Sequence, residues 1–221
     1  MNQEVWTAVD DYISSLLVPS DPGLDAALAS STAANLPAIQ VSPPQGKMLH
    51  VLARLIGARN ILEIGTLGGY STIWLARALP PAGRVLTLEA NPKHADVARA
   101  NFARAGLTNV IELRLGKALD LLPDVAAEGR GPFDLIFIDA NKSNMPEYFD
   151  WSVKLSRRGS VIVADNVIRQ GGVLDATSDD ADIQGVRRFT ERVAADSRVS
   201  ATAIQTVGSK GYDGFALIIV L

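Results

Sequence analysis

The chain has 221 residues, 48% apolar and 20% charged, with a formal net charge of −3, which is the balance of a globular protein with one large core. No Lys/Arg-rich run supplies the basic footprint that a nucleic-acid partner requires. The absence of cysteine excludes disulfides, zinc–thiolate sites, iron–sulfur clusters and a cysteine nucleophile.

The opening stretch "MNQEVWTAVDDYISSLL" carries acids where a secretion signal would carry a basic flank. No apolar run reaches the roughly 18 residues that span a bilayer. A cytosolic protein with no membrane partner is therefore expected. Apolar residues at Val5, Val9, Ile13, Leu16 and Leu17 recur at helical spacing until Pro19 ends the run. A second helix fits Gly23 to Ala34. A third begins in "SPPQGKMLHVLARLIGA", where Ser42 can cap and prolines occupy the first positions. This pattern divides a single domain into a helical part, 1–58, and an α/β core, 59–221.

From Asn60 onward, short runs rich in Val, Ile and Leu alternate with helical stretches: "NILEIG", "RVLTLEA", "VIELRLG", "FDLIFIDA" and "SVIVADN". The clearest helix between them runs from Pro92 to Ala105 and is closed by Gly106. Such alternation predicts a parallel sheet with helices on both faces. After a helix around Ile183 to Ala194 come "VSATAIQTV" and "GFALIIVL", separated only by "GSKGYD". That connection is too short for a helical crossover, so these strands should pair antiparallel as a hairpin. Five parallel strands closed by a hairpin depart from the usual dinucleotide-binding domain.

"ILEIGTLGGYST" follows the first strand and opens a helix. Gly65, Gly68 and Gly69 allow a sharp turn and a close approach, and the helix N-terminus offers unpaired N–H groups. The spacing is G-x-x-G-G, so the dinucleotide fingerprint is matched only loosely. Glu63, before the first glycine, would repel a pyrophosphate and favour a cationic ligand. Glu89 ends the second strand, where a carboxylate can accept from both ribose hydroxyls. An adenosine ligand with a positive, phosphate-free tail, S-adenosylmethionine, fits both acids. The plainer alternative is a strand–turn–helix junction that needed glycine, with Glu89 a solvated strand end.

Asp139 ends the fourth strand, and Asp165 and Asn166 end the fifth. Neighbouring parallel strands lie about 5 Å apart, so these side chains can converge on one ion. Two carboxylates and an amide oxygen are hard donors, suited to Mg²⁺ first and also to Ca²⁺ or Mn²⁺. Alternatively, Asp139 caps the following turn and Asp-Asn starts a loop. Lys142 is either a loop lysine paired with Asp139 or Glu147, or a general base beside a bound cation. His50 and His94 read as helix residues without a partner, and Trp6, Trp74 and Trp151 as packing. The Gly- and Asp-rich segment 170–182 either covers an acceptor pocket or is a surface loop.

Taken together, "VSPPQGKML", "ILEIGTLGGYSTIWLA", "LTLEANP", "FDLIFIDANK", "VIVADNV" and "DGFALIIV" resemble the cation-dependent O-methyltransferases, the group containing catechol and caffeoyl-coenzyme A O-methyltransferases. The resemblance runs from about Val41 to the C-terminus. It implies a Rossmann-like, seven-stranded S-adenosylmethionine-dependent methyltransferase sheet, mostly parallel with an antiparallel last strand and added N-terminal helices. It implies cofactor contacts from Val41, Glu63, Gly65, Thr66, Ser71, Glu89, Ala118, Asp139 and Asn141, with Ala118 near the adenine. It further implies a metal held by Asp139, Asp165 and Asn166, Lys142 as catalytic base, a vicinal dihydroxy aromatic acceptor and a homodimer. Asn141 stands where the family often has Asp or Trp, and Val41 where plant members carry a hydroxyl. Two other functions use some of the same residues: an NAD-linked oxidoreductase, opposed by the loop spacing and the hairpin, and a non-catalytic binding protein.

Overall fold

The computed structural model describes residues 2–221. Helices α1 (Gln3–Leu17), α2 (Pro22–Ala33) and α3 (Pro43–Leu55) come first. There follow β1 (Asn60–Ile64), α4 (Tyr70–Ala78), β2 (Arg84–Glu89), α5 (Pro92–Arg104), β3 (Ile111–Leu115), α6 (Ala118–Ala127) and β4 (Phe133–Ile138). The chain ends with α7 (Met145–Lys154), β5 (Ser156–Asp165), α8 (Ala181–Ala195), β6 (Val199–Gly208) and β7 (Gly211–Val220). The helix starts are chemically determined: the side chains of Asp21, Ser42 and Asn91 each accept a backbone N–H, and a proline stands just inside each of these helices. The second helix accordingly starts at Pro22, one residue before the expected Gly23.

All seven strands form one sheet in the order β3-β2-β1-β4-β5-β7-β6. Strands β1 to β5 pair in parallel, whereas β7 runs antiparallel between β5 and β6. This is the Rossmann-like seven-stranded arrangement with an antiparallel last strand. Alternation along the strands sorts side chains into two layers. Ile61, Leu135, Phe137, Val161 and Val163 pack beneath α2 to α5. Leu62, Ile64, Ile136, Ile138 and Ile162 pack against α6 to α8. Burial on both faces is why these segments read as continuous apolar runs. The strand order reverses between β1 and β4, which opens a crevice at their carboxyl ends.

The terminal hairpin is tighter than the sequence suggests. Gly208 pairs with Gly211, so only Ser209 and Lys210 form the turn, and Tyr212 and Asp213 belong to β7. Helix α1 lies against this hairpin through polar contacts: Gln3 Nε2 donates to Gly208 O at 2.9 Å, and Ser209 N donates to Asp10 Oδ2 at 2.7 Å. It buries none of its residues, and Val5, Val9, Leu16 and Leu17 remain 46% to 65% exposed. The apolar stripe of α1 therefore does not cover the sheet. Among the described residues, no helix is long and apolar enough to cross a membrane.

After β4 a single 3-10 turn, Lys142–Asn144, leads into α7, and α8 packs directly on it. A Cβ on Gly185 would stand 2.1 Å from the Lys142 carbonyl oxygen. Gly185→Ala must therefore push α8 off the turn, at a cost of about 1–3 kcal/mol for an overpacked contact. A lowered denaturation midpoint is expected, and a midpoint equal to that of the parent protein would contradict so close an approach.

Candidate active site

Strand register places the polar side chains in two rows. Glu63 is level with Thr87 on one side and Phe137 on the other, and Phe137 is level with Val163. Two residues further along each strand, on the same face, stand Glu89, Gly65, Asp139 and Asp165. Three carboxylates thus share the carboxyl edge of the sheet, and the position between the first two is glycine. That glycine is obligatory: its φ is +98°, and a Cβ would lie 2.1 Å from Asp139 O.

Glu89 is held by backbone donors. Its Oε2 accepts from Thr66 N at 3.1 Å and Leu67 N at 2.8 Å, and its Oε1 from Asn91 N at 2.8 Å. Leu67 takes a left-handed φ of +51°, which turns successive N–H groups of the glycine loop toward the carboxylate. His94 Nδ1 lies 3.5 Å from Glu89 Oε1, so a histidine without a role in the sequence has a partner here.

Glu63 lies one row deeper, with no exposed surface. Its Oε1 accepts from Ser71 Oγ at 2.6 Å; its Oε2 accepts from Thr87 Oγ1 at 2.6 Å and from Thr72 Oγ1. Burial pushes this carboxyl up to about 7, against the three hydroxyls, which favour the charged form. Glu63 is therefore not on the cavity wall; Ser71, its partner, is.

A cavity of about 780 Å³ opens above these rows. Val41, Gly65, Thr66, Ser71, Glu89 and Ala118 all reach it, as do Asp139, Asn141, Lys142 and Asn166. Ala118 begins α6, and Val41 immediately precedes the Ser42 cap of α3, so helix starts deliver both to the wall. Asn141 accepts from Tyr148 Oη at 2.6 Å and donates to Ser143 Oγ at 3.0 Å, which holds its amide in place.

A second cavity, about 870 Å³, lies on the other side of the β5 end. Asp165 faces this one, and Asn166 and Arg169 line both. The candidate ligand set thus stands where the two cavities meet. Asp139 and Asp165 follow the paired residues Ile138 and Ala164, one strand spacing apart. Lys142, 5% exposed, donates from Nζ to Asp139 Oδ1 at 2.9 Å. Asp165, also 5% exposed, accepts from Asn166 N at 2.9 Å. Burial and then the neighbouring Asp139 carboxylate hold the Asp165 carboxyl well above the ordinary carboxylate range. Asn166 takes a φ of +57°, which Asn tolerates better than most residues, and this turns the chain sharply off β5.

A hard divalent cation fits this donor set, because it would offset the repulsion that the register imposes on two adjacent acids. Among the described residues, no group of three His, Cys, Asp or Glu could hold a metal ion, so any further protein donor beside Asp139 and Asp165 would come from an amide or the backbone; the Asn166 amide follows Asp165 directly in the chain. In the 170–182 segment, Gln170 lines the second cavity and Asp182 the first, whereas Leu174–Thr177 stay exposed. The sequence reading missed Thr72, Thr87, His94 and Arg169. Only the threonines carried a signal, since alternation puts Thr87 on the inner face of β2.

The O-methyltransferase family model matches residues 20–219. The chain is 56% identical to the catechol O-methyltransferase of Niastella koreensis over 220 residues, covering 100% of both chains. It is 58% identical to the catechol O-methyltransferase of Mycobacterium tuberculosis, covering 96% of this chain and 94% of that one. Among solved structures, an O-methyltransferase from Bacillus cereus in complex with SAH superposes with a TM-score of 0.98 at 60% identity, covering both chains fully. TomG from Streptomyces achromogenes, in complex with SAM, superposes with a TM-score of 0.96 at 55% identity, covering 100% of this chain and 99% of that one.

The buried Glu63 predicts a pH signature. Its folded-state value of about 7 exceeds the ordinary glutamate value of 4.5, so the folded state binds the extra proton and loses stability as pH rises between the two. At about 1.4 kcal/mol for each pH unit, this bounds the effect at about 3 kcal/mol. Glu63→Gln should remove it: unfolding midpoints of the parent and the variant should diverge from pH 5 to 7.5. Parallel curves would show that Glu63 stays ionised throughout.

Proposed function

This chain belongs to the O-methyltransferase family, and we propose that it moves the methyl group of S-adenosylmethionine to one hydroxyl of a vicinal dihydroxy aromatic in a cation-dependent reaction. The observation that carries this reading is the position of Asp139, Asp165 and Asn166 at the junction of two cavities. One cavity has the Glu89 carboxylate and the glycine loop; the other has no adenosine-binding features and room for a ring.

In this reading Glu89 accepts from the ribose hydroxyls, and Ala118 packs beside the adenine. Val41, Gly65, Thr66, Ser71, Asp139 and Asn141 surround the positively charged methionine end. Glu63 acts through Ser71, fixing the hydroxyl that faces the cofactor. Asp139, Asp165 and Asn166 hold the cation, Mg²⁺ first, with Ca²⁺ or Mn²⁺ also suited to oxygen donors. A bound cation would supply the Lewis acidity that favours ionisation of the acceptor hydroxyl. Lys142 becomes the neutral amine once a bound cation has taken the Asp139 carboxylate from it and its own proton has gone to solvent. It then takes the proton of the hydroxyl to be methylated, and that proton ends on Nζ. The S–CH₃ bond breaks as the O–CH₃ bond forms, and neutral S-adenosylhomocysteine leaves. Most of the protein's contribution is alignment of the oxygen with the methyl carbon, fixed by the rigid edge of the sheet.

Two outcomes test this. Dialysis against EDTA should abolish methylation of catechol, and added Mg²⁺ should restore it; transfer undiminished by the chelator would refute the role of the cation. Lys142→Ala should lower kcat by about 100-fold or more, the scale of a lost general base. Full activity in that variant would remove Lys142 from the chemistry.

A further inference from the structure

The second cavity has a charge pattern that bears on the acceptor. Its acids outside the proposed ligand set, Asp10 and Asp213, each accept hydrogen bonds through one carboxylate oxygen. Asp10 Oδ2 accepts from Ser209 N at 2.7 Å and from Ser209 Oγ at 2.9 Å. Asp213 Oδ1 accepts from Ile168 N and Arg169 N at 3.0 Å each, and from Gly214 N at 2.9 Å. The cations are not so engaged. Lys210, in the two-residue turn of the β6–β7 hairpin, donates only to the Ala38 carbonyl, and among the described residues no carboxylate lies within salt-bridge reach of it. Arg169 has its Nε buried without a partner, and its one acid, Asp182, is 3.8 Å away. Between these groups Ile39, Met48 and Phe215 offer apolar surface.

Building on the reading above, we propose that the acceptor carries an anionic substituent, a carboxylate on or beside the dihydroxylated ring, and that Lys210 is the residue that recognises it. With the diol held at Asp165 and Asn166, the rest of the ring extends toward the wall formed by α1 and the hairpin turn. An anion there gives Lys210 the charged partner that the folded chain does not supply. It also lies in the positive field of Arg169. A cationic side arm would meet both cations, and the acids of this wall, Asp10 and Asp213, are each anchored to hairpin or loop donors through one oxygen. Partial burial lowers the pKa of Lys210, a cost that an anionic ligand offsets.

The test compares 3,4-dihydroxybenzoate with its neutral isostere 3,4-dihydroxybenzamide and with dopamine, in the parent protein and in Lys210→Met. Caffeate separates a carboxylate on a longer arm from one on the ring. In the parent, kcat/KM for the benzoate should exceed that for the amide by about tenfold, mostly through KM, the scale of one charge-assisted contact. In Lys210→Met the ratio should fall toward one. Equal or better turnover of the amide or dopamine by the parent overturns the proposal. So does a benzoate preference that survives in Lys210→Met. If no catechol is methylated at all, the methyl-transfer reading fails on its own. Calorimetric binding of benzoate against amide to the S-adenosylhomocysteine-loaded protein then decides the anion preference by the same ratios.

Discussion

Parallel pairing of β4 with β5 forces two aspartates into neighbouring positions at the edge of the sheet, and the site is organised around that constraint. Ile138 is level with Ala164, so Asp139 and Asp165 emerge side by side. One is met by the Lys142 ammonium; the other is buried with a single backbone N–H. Two acids so placed repel each other in a medium that screens poorly. The fold tolerates this because the sheet beneath is fixed by side chains buried on both faces. A divalent cation would complement such a pair, with a cavity on either side of it.

The same rigidity extends into the polar layer below. Glu63 is surrounded by three hydroxyls from α4 and β2, so the strand that carries the glycine loop is cross-linked to its neighbours by hydrogen bonds as well as by the ladder. On the opposite face of the site, α8 contacts the Lys142 turn through a glycine, backbone against backbone. Lys142 is thereby held at a fixed depth, within reach of Asp139. Loops build the walls of both cavities, but each reactive group sits on a strand end or on a turn clamped by a helix.

Much of this was legible in the sequence because strand ends announce themselves. "FDLIFIDANK" and "VIVADN" each run apolar and then stop on an acid, the pattern of a buried parallel strand reaching the functional edge. The terminal hairpin was equally plain from its short connection. Glu63 shows the limit. Glu63 and Glu89 both look like acids at strand ends, yet the first is one row deeper. Only the register between β1 and β2 separates them, and one chain read linearly carries no register. The pairing of His94 with Glu89, the meeting of α1 with the hairpin turn, and the approach of Lys210 to Ala38 are likewise set by packing between distant segments. The outward stripe of α1 followed the helical period faithfully, and the period does not say what the stripe faces.

The most direct measurement is anomalous diffraction from crystals soaked with Mn²⁺ and S-adenosylhomocysteine. A single strong peak about 2 Å from oxygens of Asp139, Asp165 and Asn166 is the predicted result. A cofactor-filled crystal with no peak there, or with those three side chains turned to separate surroundings, would contradict the account at its root.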